Sequence, residues 1–343
     1  MTSASSARPL SRKASDAAAR TARRLAGTRF GRRAVESLRS TPAETGLDQW
    51  LEPLFGDELD RIEAEIDGAG PEGYAAFRDL DDDLWSLLLT LEYEGWPGIR
   101  SFLPGLPDPA LQQMWNGTSG PALAAQSVCF YRKLKEMQSR FGAGELEQAN
   151  VLDFGCGWGR LTRMLARDLE PGRLFGCDPV ENILDVSRES GVPAKLARSE
   201  FLPESLPFDE DFDLVFSFSV FTHISEAAHM ASLEAIHGGL KPGGLFVVTV
   251  RPPAYLDFNP LMAPANQALG PDRDRALEEP HYIFVSHETE GHPQFDGQEM
   301  SYGETVITLP YVRENWSPMF ELLDVSVMTG DMYQVALTLR KSD

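Results

Sequence analysis

Apolar residues recur along this chain with two different periods. Between residues 44 and 145 they fall three and four apart. Leu51, Leu54, Leu59, Ile62 and Ile66 form one stripe, and Leu84, Leu87, Leu88 and Leu91 another. That spacing lines one face of an α-helix. Pro97, Pro104, Pro107 and Pro109 interrupt the pattern and mark a loop, after which residues 122–141 resume it as one further helix. From residue 151 the pattern changes. Short continuous apolar runs at 151–154, 174–177, 212–218 and 245–250, with a weaker one at 194–197, alternate with helical stretches such as 226–240. Such alternation predicts buried parallel strands joined by helices. Towards the end, 311–320 reads as a helix and 320–327 and 334–340 as two last strands.

Between the first strand and the next apolar run (Leu161, Met164, Leu165) stand three glycines, Gly155, Gly157 and Gly159, preceded by Asp153. A strand that turns sharply toward a helix needs backbone conformations that glycine adopts cheaply, and a bare backbone where a ligand lies against it. The spacing is G-x-G-x-G, whereas a dinucleotide fingerprint is G-x-G-x-x-G. Taken alone, the loop is weak evidence, with a purely structural tight turn as its alternative. Asp178 ends the second strand 19 residues after Gly159, a place from which a carboxylate accepts the hydroxyls of a ribose. The ordinary alternative there is a helix cap.

Four segments, VLDFGCGWGR, CDP, FDLVFSFSVFTHIS and LKPGGLFVVTV, follow one another over residues 150–251. Together they resemble the class I S-adenosylmethionine (SAM)-dependent methyltransferases. The resemblance implies an α/β, doubly wound Rossmann-like fold. Its seven-stranded sheet would be mostly parallel with an antiparallel last strand, joined by a helical N-terminal cap and a substrate-side insert. It also implies SAM as cofactor. Asp153, Gly155, Cys156, Gly157, Trp158 and Gly159 would lie along the methionine end, Asp178 and Pro179 at the ribose, and Ser217 and Phe218 at the end of the fourth strand. Ser199 and Glu200 stand where related enzymes place an acidic or amide residue beside the adenine, and neither is the usual Asp. Trp158 is expected either to cover the cofactor or to pack on the preceding helices. Arg160 is expected at a helix start, paired with a carboxylate of the cap or of the cofactor. Tyr131 and Arg132 are within the helix that precedes the loop and are expected mainly to pack, with the cofactor's carboxylate as the other destination.

The implied reaction is in-line transfer of a methyl group to a small-molecule or glycan acceptor, with a hydroxyl as the expected nucleophile. A hydroxyl benefits from a base near neutral pKa, and His223, just beyond the fourth strand, is the first candidate. A buried or capping histidine is the plainer reading of it. His281, His287 and His292 are further candidates. Two rivals share the loop: a methyltransferase-like protein that binds SAM without turnover, and a methyltransferase acting on protein or another nucleophile. No Asn-Pro-Pro-Tyr-like motif follows the fourth strand. An NAD-dependent oxidoreductase fails on the glycine spacing and on the terminal strand pair.

Composition refines the partners. The 343 residues carry a net charge of −21. Residues 1–40 hold ten Lys/Arg against Asp16 and Glu36, a local +8, so the other 303 carry −29. An acidic body repels phosphates, which disfavours a nucleic-acid substrate. The first forty residues read as a basic, disordered tail, with an organelle-targeting peptide or an arm for an acidic partner as alternatives. No apolar run reaches the length of a membrane span. Cys129, Cys156 and Cys177 have no metal-ligand spacing and read as reduced cytosolic thiols, so the expected location is cytoplasmic. His287, Glu288, Glu290 and His292 share no recognised metal spacing either, and no metal is expected. The organisation expected is a tail (1–40), a helical cap (41–145) and a SAM-binding domain (146–343). Its insert, 251–310, is too long for a simple connection. The insert is rich in aromatic and histidine residues, with strand-like runs at 282–286 and 305–309, and predicts an ordered lid or substrate-recognition element.

Overall fold

The computed structural model describes residues 47–287 and 301–342. The basic tail and the Glu288, Glu290 and His292 candidates lie outside these. The chain divides into two compact units, Met1–Phe55 and Gly56–Asp343. Of the first, only residues 47–55 are described, within helix α1 (Leu47–Glu65). Every later element belongs to the second.

Helix α2 (Asp82–Thr90) begins where the Asp81 side chain accepts hydrogen bonds from the backbone N–H groups of Asp83 and Leu84, and it buries Leu84, Trp85, Leu88 and Leu89. Its acidic first turn suits the positive end of the helix dipole. The proline-rich stretch expected as loop contains two short helices, α3 (Pro97–Phe102) and α4 (Pro109–Asn116). Pro97 and Pro109 open them, at the position where a missing N–H costs nothing. Helix α5 (Gly120–Phe141) comes next and runs as expected.

The sheet is built from β1 (Val151–Phe154), β2 (Leu174–Asp178), helix α6 (Glu181–Glu189), β3 (Lys195–Arg198), β4 (Phe212–Ser217), helix α7 (Glu226–Gly239) and β5 (Leu240–Val250). The insert adds short helices α8 (Ala263–Ala268) and α9 (Arg273–Ala276) and strands β6 (Tyr282–Ser286) and β7 (Gly303–Ile307). Helix α10 (Leu309–Asn315) leads to β8 (Phe320–Val327) and β9 (Val335–Lys341). The strand order is β3-β2-β1-β4-β5-β9-β8, and β6 and β7 form a separate antiparallel pair. Val151 of β1 is in register with Leu174 on one side and Leu214 on the other, both parallel. The last strand enters antiparallel between β5 and β8. This is the expected seven-stranded doubly wound sheet.

One face of the sheet buries Phe175, Phe212, Phe246 and Leu337 with Leu233 and Ile236 of α7 and Trp316. Each such side chain contributes about 1.5–3 kcal/mol by leaving water. On the other face Phe130 of α5 meets Phe216 and Phe218, with ring centroids 6.1 and 4.8 Å apart.

The segment after the glycine loop departs from expectation. Instead of an α-helix it makes only a 3-10 turn, Thr162–Arg167. Arg163 is buried and reaches back to Gly159 O (3.1 Å) and Trp158 O (3.3 Å), so a side chain shares the carbonyls that a continuing helix would use. Arg167, also buried, donates to Phe77 O and Leu80 O and pairs with Asp82. The same segment accepts Trp85 Nε1 at Met164 O, 2.9 Å. Helices α2 and α5 are thereby fastened to the sheet. Tyr131 and Arg132 belong to this fastening and do not face the ligand cavity: Tyr131 Oη donates to Asp168 Oδ2 at 2.5 Å, and Arg132 pairs with Asp82 and Asp83.

Candidate functional site

A cavity of about 790 Å³ opens at the carboxyl ends of β1, β2 and β4, where a doubly wound sheet places its ligands. The glycine loop forms one wall. Gly155 and Gly159 have φ of +80° and +79°, and a side chain on either would run into a neighbour: Val220 at Gly155, Val192 and Ser187 at Gly159. Asp178 holds the loop closed. Its Oδ2 accepts from Gly157 N at 3.0 Å and its Oδ1 from Val180 N at 2.9 Å. It is therefore a cap as well as a cavity carboxylate. Burial pushes its pKa up to about 6, against those two hydrogen bonds. Asp153, wholly buried and bonded to Thr162 Oγ1 at 2.6 Å, is pushed up to about 7 by burial.

Of the residues expected to hold the cofactor, Asp153, Gly155, Cys156, Gly157, Trp158, Asp178, Pro179, Ser199, Glu200 and Phe218 all line this cavity. Gly159 and Ser217 are not among its lining residues. Gly159 shapes the turn from behind, and Ser217 Oγ donates to Phe154 O, tying β4 to β1. Trp158 lines the cavity and also packs, between Leu123 and Ile183, with its Nε1 donating to Asn116 Oδ1 at 2.7 Å.

Arg160 is the most telling neighbour. It is buried, lies over the Phe218 ring at 4.9 Å and donates to Gln126 Oε1. Among the described residues no carboxylate stands within ion-pair distance of it, the charges of Asp153 and Asp331 acting on it only from further away, and it lines the cavity. Burial lowers its pKa to about 10, still far above neutral, so a full positive charge waits at the wall. Close by, Asp331 accepts from Gln126 and Gln334, both at 2.9 Å. A cavity that offers one carboxylate at a strand end and an unpaired cation beside a bare glycine backbone fits a nucleoside joined to an amino acid. SAM is such a molecule.

Ser219, absent from the expected set, also lines the cavity. It is the one non-glycine residue with positive φ (62°) among those described. Thr249 Oγ1 accepts its N–H at 2.7 Å and Gln334 donates to its Oγ at 3.2 Å. Strained residues of this kind gather at ligand sites.

A second polar cluster occupies the insert side of the cavity. His223 Nδ1 lies 2.8 Å from Gly303 O, so it carries the proton and donates. His223 Nε2 accepts from Arg251 Nη2 at 3.0 Å. Both ring nitrogens are committed, and burial with the Arg251 charge lowers the pKa to about 3. Arg251 also pairs with Glu304, which accepts further from Tyr255 Oη (3.1 Å) and His287 Nε2 (3.0 Å). Ligand atoms of His223, His287 and Glu304 lie within 4.8 Å of one another. The arrangement does not fit a metal ion, because His223 Nδ1 is protonated toward a carbonyl and Arg251 already balances Glu304. His281 is not among the cavity residues. Glu304 had no signal in the sequence. Arg251, directly after the fifth apolar run, stood where strand ends collect ligands and was legible on that rule.

Fold and site together resemble a class I SAM-dependent methyltransferase domain, and SAM is the cofactor of that class. Residues 151–244 match the family model described as a methyltransferase domain. The chain is 28% identical over 155 residues to a probable fatty acid methyltransferase of Pseudomonas putida, covering 43% of this chain and 37% of that protein. It is 31% identical over 105 residues to a ubiquinone biosynthesis O-methyltransferase of Methylobacterium nodulans, covering 29% and 40%. The matched part thus spans about two fifths of the length of these relatives. Among solved structures, an S-adenosylmethionine-dependent methyltransferase from Clostridium acetobutylicum aligns with a TM-score of 0.43 at 13% identity, over 68% of this chain and 97% of that one. No helix among the described residues is long and apolar enough to cross a membrane.

Proposed function

We propose that this protein transfers the methyl group of SAM to a hydroxyl oxygen of a small-molecule or glycan acceptor. The observation that carries the reading is the buried Arg160 without a carboxylate partner, in the same cavity as Asp178. SAM supplies a sulfonium-activated methyl group. Asp178 accepts the ribose hydroxyls while its own hydrogen bonds keep the glycine loop in place. Arg160 holds the α-carboxylate and Asp331 the α-ammonium. Gly155 and Gly157 give the backbone close approach, and Ser199 and Glu200 stand at the adenine. The walls from α4, the insert and the 331–334 turn exclude water and orient the acceptor, and orientation of this kind contributes up to roughly 7–11 kcal/mol. One of the relatives is named as an O-methyltransferase, which supports oxygen as the receiving atom.

The test is calorimetric titration with S-adenosylhomocysteine (SAH), followed by transfer of labelled methyl from SAM to a panel of phenols, hydroxylated lipids, fatty acids and glycans. Binding that Asp178→Ala abolishes, with label on a hydroxyl, is the expected result. No binding, or binding indifferent to Asp178→Ala, overturns the reading. Tight binding with no label on any acceptor would favour a SAM-binding protein without turnover.

A further inference from the structure

We propose that His287, oriented by Glu304, is the general base that takes the proton of the acceptor hydroxyl. The proposal rests on the methyltransferase reading above and assigns a role within its site.

His223 is the histidine that sequence position favours, and its hydrogen bonds remove it. A base needs a lone pair facing the substrate, and the lone pair of His223 is taken by Arg251. In His287 the arrangement is reversed. The antiparallel pairing of β6 and β7 sets Val285 opposite Glu304 and Ser286 opposite Gly303. His287, one residue further, is anchored through its backbone N–H to Tyr302 O at 3.1 Å. Its Nε2 faces Glu304 Oε1 at 3.0 Å. Glu304 is buried and bound by Arg251 and Tyr255 as well, so it is an ionised acceptor. The proton of neutral His287 therefore sits on Nε2. Nδ1 is left with its lone pair, and no described residue bonds to it. The ring lines the cavity and its side chain keeps 30% exposure, enough for an acceptor to reach it.

The charges suit a base. Among the described residues, those facing His287 are Glu304 from β7, Arg251 beyond β5 and the neutral His223 beyond β4, with the Tyr302 ring packed edge-on at 5.3 Å. Burial first and the Arg251 charge second hold the pKa below the ordinary histidine value, so the ring is unprotonated at neutral pH. On gaining a proton it becomes a cation hydrogen-bonded to a carboxylate, the orienting arrangement that stabilises an imidazolium. As the acceptor O–H bond breaks, its proton passes to Nδ1 and its oxygen forms a bond to the methyl carbon. The carbon–sulfur bond breaks with its electron pair left on sulfur as a neutral thioether, and the proton later leaves His287 to water. A carboxylate acceptor is already ionised at neutral pH and has no use for this pair. The site is thus built for an alcohol or a phenol.

The test uses the full chain with 15N-labelled histidine, titrated by NMR with SAH as the probe. His287 is assigned by the signal lost in His287→Gln. Neutral His287 should carry its proton on Nε2, and Glu304→Gln should raise its acid dissociation constant about tenfold or more. On whichever hydroxyl acceptor the panel yields, His287→Gln should lose about a hundredfold or more in kcat with KM little moved, and the rise of rate with pH should vanish. A neutral His287 protonated on Nδ1, an acid constant indifferent to Glu304→Gln, or retained kcat in His287→Gln overturns the proposal. SAH that fails to bind while the tautomer is as expected overturns instead the methyltransferase reading.

Discussion

Arg251 Nη2 donates to His223 Nε2 across 3.0 Å, and the histidine's other nitrogen faces Gly303 O at 2.8 Å. The ring is locked in one tautomer and stacks on Tyr302 at 5.2 Å, nearly parallel. Its pKa, lowered to about 3 by burial and by Arg251, predicts that its NMR signals do not move between pH 8 and 4. Because the folded value lies below the ordinary 6.5, neutral His223 contributes stability above that pH. The contribution is lost as pH falls toward 3. A His223 signal that titrates near 6.5 would contradict the hydrogen-bond assignment.

Arg160→Met should weaken SAH binding by roughly ten- to a hundredfold, the loss of one charge-assisted hydrogen-bonded contact of about 1.5–3 kcal/mol. Methylthioadenosine, which has no carboxylate, should bind the variant and the parent alike. Calorimetry with both ligands checks it. Equal losses for the two would mean that Arg160 supports the fold and not the amino-acid end.

Asp178 must be ionised to accept two ribose hydroxyls, and burial pushes its pKa up to about 6. SAH affinity should therefore rise from pH 5 to pH 7, and an Asp178→Asn protein should lose that slope. Without ligand the sign is opposite. A folded pKa above the unfolded one means that the native state keeps a proton which the unfolded chain releases. The contribution is thus fully present below about 4 and lost as pH rises through about 6. Urea unfolding with and without SAH, at several pH values, reads both slopes.

Gly155→Ala forces a side chain into a φ of +80° and against Val220. The expected cost is about 1–3 kcal/mol, together with loss of SAH binding. Gly144, where an added Cβ meets nothing within 4 Å, provides the control: Gly144→Ala should stay within about 0.5 kcal/mol. Unfolding midpoints in urea compare the two.

Much of this molecule is decided by neighbours along the chain. The apolar runs at 151–154, 174–177, 212–218 and 245–250 became β1, β2, β4 and β5 within a few residues. A buried strand is encoded by residues next to one another, and a tight turn by its own glycines. The G-x-G-x-G spacing, Asp178 and the terminal strand pair sufficed for fold and cofactor class for the same reason. The fate of the buried charges is another matter. Arg160 meets Gln126, Arg167 meets Asp82 and His223 meets Arg251 across 34, 85 and 28 residues of sequence. A buried polar group must find its partner wherever the fold brings one, and no local period records that. Hence the short 3-10 turn where a helix was expected, the packing roles of Tyr131 and Arg132, and the commitment of both nitrogens of His223. The pairing of β6 with β7 likewise set His287 beside Glu304, 17 residues away. The sequence by itself determined the sheet, the loop and the cofactor class. Only the tertiary structure decided which ionisable groups are spent on holding the fold and which still face the cavity.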